Sequence, residues 1–186
     1  MPDLQTALVN YLLEHHITVS AAESCTGGLV SKSITDISRS NINFTSLGGP
    51  GSIIAILPFS SMAAPGAVPL SITDIAGCSD IYPGGVCSYS NEMKVKWLNV
   101  QASTLETHGA VSKETALEMA QGIRFATGSD LAVSTTGVAG PGGGSAEKPV
   151  GLVYVAVVGE NYQHVEKLNI SYGEQTTRAM IRQQCA

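Results

Sequence analysis

Residues 111–137, VSKETALEMAQGIRFATGSDLAVSTTG, constrain the fold more tightly than any other stretch of this chain. Ala116, Leu117, Ala120 and Ile123 recur at helical spacing, so one face of 111–128 is apolar. Ser112 stands where a side-chain oxygen can accept from the first free N–H groups, and Glu114 suits the positive end of a helix. Gly128 supplies the residue that closes it. DLAVSTTG (130–137) then reads as a strand that runs into glycine. A capped helix followed at once by an apolar strand predicts an α/β domain in which helices cover a sheet.

The rest of the chain continues that alternation. Leu4, Ala7, Leu8, Tyr11 and Leu12 predict a first helix with Asp3 as its N-cap. ITVSAAE (17–23) reads as a short buried strand. SCTGGLVSKSITDI (24–37) begins with small polar residues and turns helical, which puts Ser24 at a strand-to-helix junction. GGVCSYS (84–90) is a second strand, and NEMKVKWLNV (91–100) a short helix capped by Asn91. LVYVAVVG (152–159) and HVEKLNISY (164–172) predict an antiparallel pair around ENYQ. EQTTRAMIRQQCA (174–186) reads as a helix that stops early. Strands alternating with helices, with glycine turns between them, argue a three-layer α/β domain. A chain of 186 residues suits one such domain with a real core.

Composition removes several classes of function. Apolar residues make up 44% of the chain and charged residues 13%, as in a globular rather than a disordered protein. The net charge of −5 offers no basic footprint for nucleic acid or an anionic membrane. A small anionic substrate stays compatible with it, because backbone amides bind phosphate without side-chain charge. Cys25, Cys78, Cys87 and Cys185 contain no CxxC pair, and His15, His16, His108 and His164 keep no ligand spacing with them. Neither a metal site nor a disulfide framework is expected. The opening MPDLQTALVNYLLEHH is amphipathic and carries Asp3 and Glu14, unlike a signal peptide, so the expected location is cytoplasmic.

One stretch breaks the pattern. SITDIS (33–38) and SITDIAG (71–77) nearly repeat each other, and no charged residue occurs from Ser40 to Thr73. SIIAILPFSSMAAPGAVPLSI (52–72) is apolar, but Pro58, Pro65 and Pro69, the interspersed serines and the lack of a basic flank argue against a membrane span. Two copies of a five-residue word are too few for a repeat fold.

Three clusters carry residues suited to chemistry. In AESCTGG, Ser24 is followed by Thr26, Gly27 and Gly28 at a helix start, whose N–H groups can hold a phosphate or the oxyanion of an acyl transfer. The plain alternative is a capped helix with glycines for close packing. Of the two neighbours, Ser24 is expected to face out and Cys25 to be buried, since a thiol suits burial better. In YSNEMK (89–94), Tyr89 ends a strand and Lys94 follows one turn into a helix, so both can face one cleft. A desolvated lysine beside a serine can serve as its base; a solvated helix lysine is the alternative. His108, in LETHGAVS, reads as a loop residue that helps cap the next helix. TTGVAGPGGGSAEKPVG (135–151) is dense enough in glycine for its backbone to approach a ligand, or for a flexible connection. It lacks the Gly-Lys-Ser/Thr ending of a Walker A loop and a faithful GxGxxG.

Taken in order, AESCTGG, GGVCSYSNEMK, GAVSKETALEMAQG and TTGVAGPGGGSAEKPVGLVYVAV closely resemble the CinA C-terminal domain family. Its characterised members are nicotinamide-nucleotide amidases of the PncC type, which hydrolyse nicotinamide mononucleotide to nicotinate mononucleotide and ammonia in pyridine-nucleotide salvage. The resemblance implies a single three-layer α/β/α domain with a mixed sheet. It implies Ser24 as nucleophile, Lys94 as its base and Tyr89 as proton relay or orienter. For such a base to work near neutrality, burial must bring its pKa well below about 10.4. Thr26, Gly27, Gly28 and Asn91 would belong to the substrate site. Thr136, Gly137, Gly140, Gly142 and Gly143, from the family's TGxAGPxGG loop, would line a nucleotide pocket. No metal or other cofactor is implied, the expected partner is a small nucleotide substrate, and the assembly a homo-oligomer. Removing residues 33–70 joins GGLVSK to SITDIAGCSDIYPGGVCSYSNEMK, an uninterrupted family-like stretch. That resemblance therefore marks 33–70 as an atypical insertion and the last helix as cut short. A silent nucleotide-binding or regulatory module is the alternative function.

Overall fold

The computed structural model of the chain describes residues 4–35, 78–171, 173 and 176–185. Helix α1 (Leu4–His15) leads to strand β1 (Val19–Glu23) and helix α2 (Leu29–Thr35). A 3-10 turn at Cys78–Asp80 precedes β2 (Gly84–Cys87), followed by three helices, α3 (Asn91–Leu98), α4 (Ala102–His108) and α5 (Lys113–Thr127). Strands β3 (Leu131–Gly137), β4 (Leu152–Val158) and β5 (Gln163–Asn169) come next, and α6 (Arg178–Cys185) closes the described chain. Asp3, the stretch from 36 to 77 and the second SITDI copy lie outside the described residues.

The five strands form one mixed sheet in the order β2-β1-β3-β4-β5. β1 runs parallel to both β2 and β3, with Ala22 opposite Val86 on one side and Ser134 on the other. β4 is antiparallel to β3 and to β5, so the pair expected around ENYQ is present. Side chains alternate between the two faces of the sheet, as the strand period requires. Ala22, Ala132, Ala156 and Val158 pack with Ala116, Met119, Ala120 and Ile123 of α5 and with Leu98. On the opposite face, Val19 and Ala21 pack with Val9, Leu12 and Leu13 of α1 and Val30 of α2. Val153 of β4 packs with Ile181 of α6 on that same side. Helices on both faces of a mixed sheet make the three-layer α/β/α domain. Among the described residues, no helix is long and apolar enough to cross a membrane.

The capping signals of α5 act as expected. Ser112 Oγ accepts from the N–H of Thr115, and Gly128 at φ 67° donates to Arg124 O. Other local expectations shift. Ser90, not Asn91, caps α3, because its extended backbone lets Oγ accept from Met93 N while Asn91 is already helical. In α1 the buried positions are Val9, Leu12 and Leu13, whereas Leu8 is 54% and Tyr11 53% exposed. Both sets have helical spacing, and only the sheet decides which one is covered. Tyr11 instead stacks on His15, ring centres 4.0 Å apart.

Helix α4 had no clear signal in the sequence. Gln101, which flanks its N-terminus, makes no side-chain cap. Glu118 of α5 does that work from outside, accepting from Gln101 N at 2.7 Å and Thr104 Oγ1 at 2.6 Å. His108 is the last residue of α4 rather than a loop residue, and the cap of α5 is Ser112. Its ring lies 3.8 Å from Glu114.

Helices α3 and α5 meet at Gly122, where a Cβ would stand 1.9 Å from the carbonyl oxygen of Leu98. Gly122→Ala is therefore expected to destabilise the fold by about 1–3 kcal/mol, the usual cost of overpacking, against its higher helix propensity. Thermal unfolding checks it; an unchanged or raised midpoint would show that the two helices separate freely.

Candidate active site

The carboxyl ends of the three parallel strands converge on one place. Ser24 follows β1, Ser88 and Tyr89 follow β2, and Thr136 and Gly137 end β3. In open α/β sheets this is where ligands bind, because side chains and N–H groups emerge there from a rigid frame.

Lys94, on the first turn of α3, is 1% exposed. Its Nζ donates to Ser88 O at 2.7 Å and Tyr89 O at 3.4 Å, and lies 3.1 Å from Ser24 Oγ. Seventy residues of sequence separate this serine from this lysine. Burial lowers the lysine pKa from 10.5 to about 8, against smaller opposing effects of the Cys87 and Cys25 thiols. A neutral amine has two protons and one lone pair. With the two carbonyls accepting both protons, the lone pair is left for the hydroxyl of Ser24. A serine and a lysine in this arrangement can act as nucleophile and base.

Ser24 is half-buried and Cys25 buried, as expected of the two neighbours. Burial raises the Cys25 thiol to about 12, so it stays protonated near neutrality and makes a poor nucleophile. The Ser24 N–H donates to Thr135 O at 3.0 Å, which ties the Ser24 backbone to β3.

The N–H group of Gly28 serves a different purpose from the one its position suggests. Glu23, 1% exposed, turns its carboxylate onto the start of α2. Its Oε2 accepts from Thr26 Oγ1 at 2.6 Å, Gly28 N at 2.7 Å and Val30 N at 3.2 Å. Its Oε1 accepts from Ser31 N at 2.8 Å and Ser31 Oγ at 2.6 Å. An internal carboxylate thus satisfies the N–H groups of Gly28, Val30 and Ser31 at the helix start. Gly28 N–H is therefore committed to Glu23 and does not offer itself to an oxyanion. Thr26 is fully buried, its hydroxyl also 2.7 Å from that of Thr135. Glu23 O accepts from Ser88 N at 2.7 Å, so the strand end that carries Ser24 also holds the carbonyl that binds Lys94.

A cavity of about 340 Å³ opens over the Ser24–Lys94 pair. Of the expected residues, Ser24, Tyr89, Lys94, Thr136 and Gly137 line it, as do Gly140, Gly142 and Gly143 of the glycine loop. Thr136 is buried, its hydroxyl donating to Ala110 O at 2.7 Å, so it ties β3 to the loop before α5. Tyr89 is 76% exposed, at the cavity mouth. Thr26, Gly27, Gly28 and Asn91 are not in the lining. Gly27 sits just outside, at φ 64°, with the Arg182 guanidinium carbon 3.3 Å from where a Cβ would be.

Sequence reasoning missed Arg178 and Arg182 of α6, which complete the lining. Four-residue spacing on a helix was the signal available. A larger cleft of about 480 Å³, by Arg124, Phe125 and Tyr162, brings no nucleophile to a base and is not the candidate site.

The sequence pattern of the CinA C-terminal domain matches residues 2–46 and 60–186. The unmatched 47–59 fall inside the uncharged stretch. A relative from Caldanaerobacter subterraneus subsp. tengcongensis, named as a competence-damage inducible protein, is 40% identical over 181 residues, 96% of this chain and 35% of that protein. One from Clostridium acetobutylicum, similarly named, is 39% identical over 178 residues, 96% of this chain and 34% of that protein. The chain spans about a third of the length of these curated relatives. Among solved structures, the competence/damage inducible protein CihA of Agrobacterium tumefaciens is similar at a TM-score of 0.72 and 34% identity, over 97% of this chain and 85% of that one. A CinA superfamily protein of Escherichia coli shares the fold at a TM-score of 0.71 and 21% identity, over 100% of this chain and 87% of that one.

Proposed function

This chain belongs to the CinA C-terminal domain family, and we propose that it is an amidohydrolase converting nicotinamide mononucleotide to nicotinate mononucleotide and ammonia, with Ser24 as nucleophile and Lys94 as its base. The observation that carries the reading is the buried Lys94 amine, 3.1 Å from Ser24 Oγ and held by two backbone carbonyls. The choice of substrate rests on the order of the four motifs that resemble nicotinamide-nucleotide amidases.

The chemistry follows from that geometry. Lys94 takes the Ser24 hydroxyl proton as Oγ attacks the carboxamide carbon, giving a tetrahedral intermediate. The resulting ammonium returns the proton to the amide nitrogen, the C–N bond breaks and ammonia leaves. Water then attacks the Ser24 ester, Lys94 takes its proton and passes it to Ser24 Oγ, and the carboxylate product departs. Tyr89, at the mouth, would orient the substrate or relay a proton. No step needs a metal ion; the resemblance implies a homo-oligomer, and the charged amphipathic opening stretch carries the expectation of a cytoplasmic location.

Incubation of the protein with nicotinamide mononucleotide, following both products, tests the reading with Ser24→Ala as blank. Matched release of ammonia and nicotinate mononucleotide is expected; a folded protein that binds the nucleotide without turning it over would favour a silent module.

A pH dependence follows from Lys94. The base must be neutral to accept a proton, and its pKa is lowered to about 8. The rate is expected to rise with pH through a limb near 8 and level off above it. A kcat profile flat from pH 6.5 to 9.5 would remove Lys94 as the titrating base. The same shift makes the fold more stable as pH rises from about 8 towards 10.5, because there the unfolded chain holds a proton that the folded one has released.

A further inference from the structure

Glu23 is a buried carboxylate that the proposed chemistry does not use, although it precedes Ser24 in the chain. Its bonds reach further than the start of α2. Thr26 Oγ1 donates to Glu23 Oε2 at 2.6 Å and lies 2.7 Å from Thr135 Oγ1. A hydroxyl has one proton. With the Thr26 proton given to the carboxylate, Thr135 is the donor in the second bond. The same Thr135 accepts the Ser24 N–H through its carbonyl, at 3.0 Å. Glu23, Thr26, Thr135 and Ser24 therefore close a ring, and the side chains of the first three are buried. Beyond Ser24 the chain leaves β1 and turns through Gly27 and Gly28, at φ 64° and 99°, conformations that glycine enters freely and holds weakly. Bonds to the Glu23 side chain hold that turn where a strand ladder no longer does. The Glu23 carbonyl meanwhile accepts from Ser88 N at 2.7 Å, and Ser88 O accepts from Lys94 Nζ at 2.7 Å. One residue is thus bonded through its side chain to the turn after Ser24 and through its backbone to the strand end that holds Lys94.

We propose that Glu23 is a positioning residue for the Ser24–Lys94 pair, acting through the Thr26 hydroxyl to keep the Ser24 turn where Oγ meets the amine. The proposal deepens the amidase reading and rests on it for the rate that the positioning controls. Lys94 keeps its two carbonyls whatever the turn does, so a displaced turn separates the pair instead of moving both groups together. A shift of about 1 Å in a reacting group lowers a rate about a hundredfold. A carboxylate suits the task because it only accepts, and the hydroxyls of Thr26 and Ser31 and the N–H groups of Gly28, Val30 and Ser31 all donate to it. An amide in its place would turn N–H groups onto donors.

Thr26→Val cuts the link with little change of shape and leaves the carboxylate in place; Thr26→Ser keeps the hydroxyl. Both are assayed beside wild type for nicotinamide mononucleotide hydrolysis, with thermal unfolding on the same preparations. A second readout needs no amide. When a fluorophosphonate reacts, Ser24 Oγ attacks phosphorus, fluoride leaves and the serine proton passes to Lys94, so the rate of labelling at Ser24 reports the pair alone. Folded Thr26→Val should lower kcat about ten- to a hundredfold and slow labelling in parallel. KM should stay within about twofold, since Thr26 lies outside the cavity lining. Thr26→Ser should recover most of both rates. Glu23→Gln should lose at least as much kcat and also melt earlier; whichever of Thr26→Val and Glu23→Gln folds decides by these criteria. Wild-type kcat in folded Thr26→Val overturns the positioning role and leaves the amidase standing. So does a loss that falls on KM instead, or one that Thr26→Ser fails to recover, either of which would mark Thr26 as scaffold only. If the folded wild type leaves the amide intact, the amidase reading fails and labelling decides the positioning. Slower labelling in Thr26→Val, recovered in Thr26→Ser, supports it; equal labelling, or none in wild type, overturns it.

Discussion

Ser24→Ala is expected to abolish nicotinamide mononucleotide hydrolysis, cutting kcat by at least about ten-thousandfold, the scale on which removing a covalent nucleophile acts. Two features make the expectation sharp. The neighbouring Cys25 cannot substitute, since its thiol is buried and held protonated with a pKa pushed up to about 12. No other side-chain hydroxyl is bonded to Lys94 Nζ among the described residues; its remaining partners are the carbonyls of Ser88 and Tyr89. The substitution removes one hydroxyl from a half-buried position and leaves the amine held by those carbonyls. The thermal midpoint should therefore move by no more than a few degrees. Ammonia release and a melting curve on the same preparation check both halves. Persistent turnover in a folded Ser24→Ala protein would mean that the hydroxyl of Ser24 is not the attacking group.

Lys94→Met is expected to lower kcat about a hundred- to ten-thousandfold with KM little changed, because a positioned base acts in the transition state and not in binding. The limb near pH 8 should vanish with it. Stability is the less obvious part. The wild-type lysine has its pKa lowered from 10.5 to about 8, a burial penalty of about 3 kcal/mol at neutral pH, which methionine would relieve. Methionine also removes the donor from two carbonyls, and leaving a buried acceptor unpaired costs about 1–3 kcal/mol. The two effects oppose each other at similar size, so the variant should fold with a midpoint close to wild type. An inactive, well-folded Lys94→Met protein that keeps nucleotide affinity is the expected result. Retention of the pH limb in that variant would assign the titration to another group.

The parts of the site that could be read from the residues are those whose signal is local. Ser24 before two glycines, Lys94 one turn into a helix and the glycine run from Gly137 each announce themselves within a few positions. The structure then brings Ser24 and Lys94 to 3.1 Å. Thr26 and Gly28 carried an equally local signal, but the Thr26 hydroxyl and the Gly28 N–H go to the Glu23 carboxylate, 2.6 and 2.7 Å away. Nothing in AESCTGG says whether its glutamate faces solvent or folds back onto the helix start. Burial of Glu23 in the sheet end decides that. Arg182 touches the carbonyl of Cys25 across 157 residues of chain, a contact that no pattern of spacing reports.

The alternation of strands and helices, the caps of α5, the β4–β5 pair and the candidates for nucleophile and base were legible in the residues alone. All of these rest on interactions within one turn or one strand pair, such as the Ser112 hydroxyl on Thr115 N–H. Tertiary structure alone decided which face of α1 is buried, where α4 begins, and that Glu23 rather than a ligand occupies the start of α2. It also decided that α6 closes the cavity with two arginines. Those outcomes depend on the order and register of β2-β1-β3-β4-β5, which place distant segments side by side. A helix with two possible apolar faces, or a carboxylate with two possible directions, carries no local preference large enough to choose. Burial against the sheet supplies the difference in free energy, and it exists only once the sheet has formed.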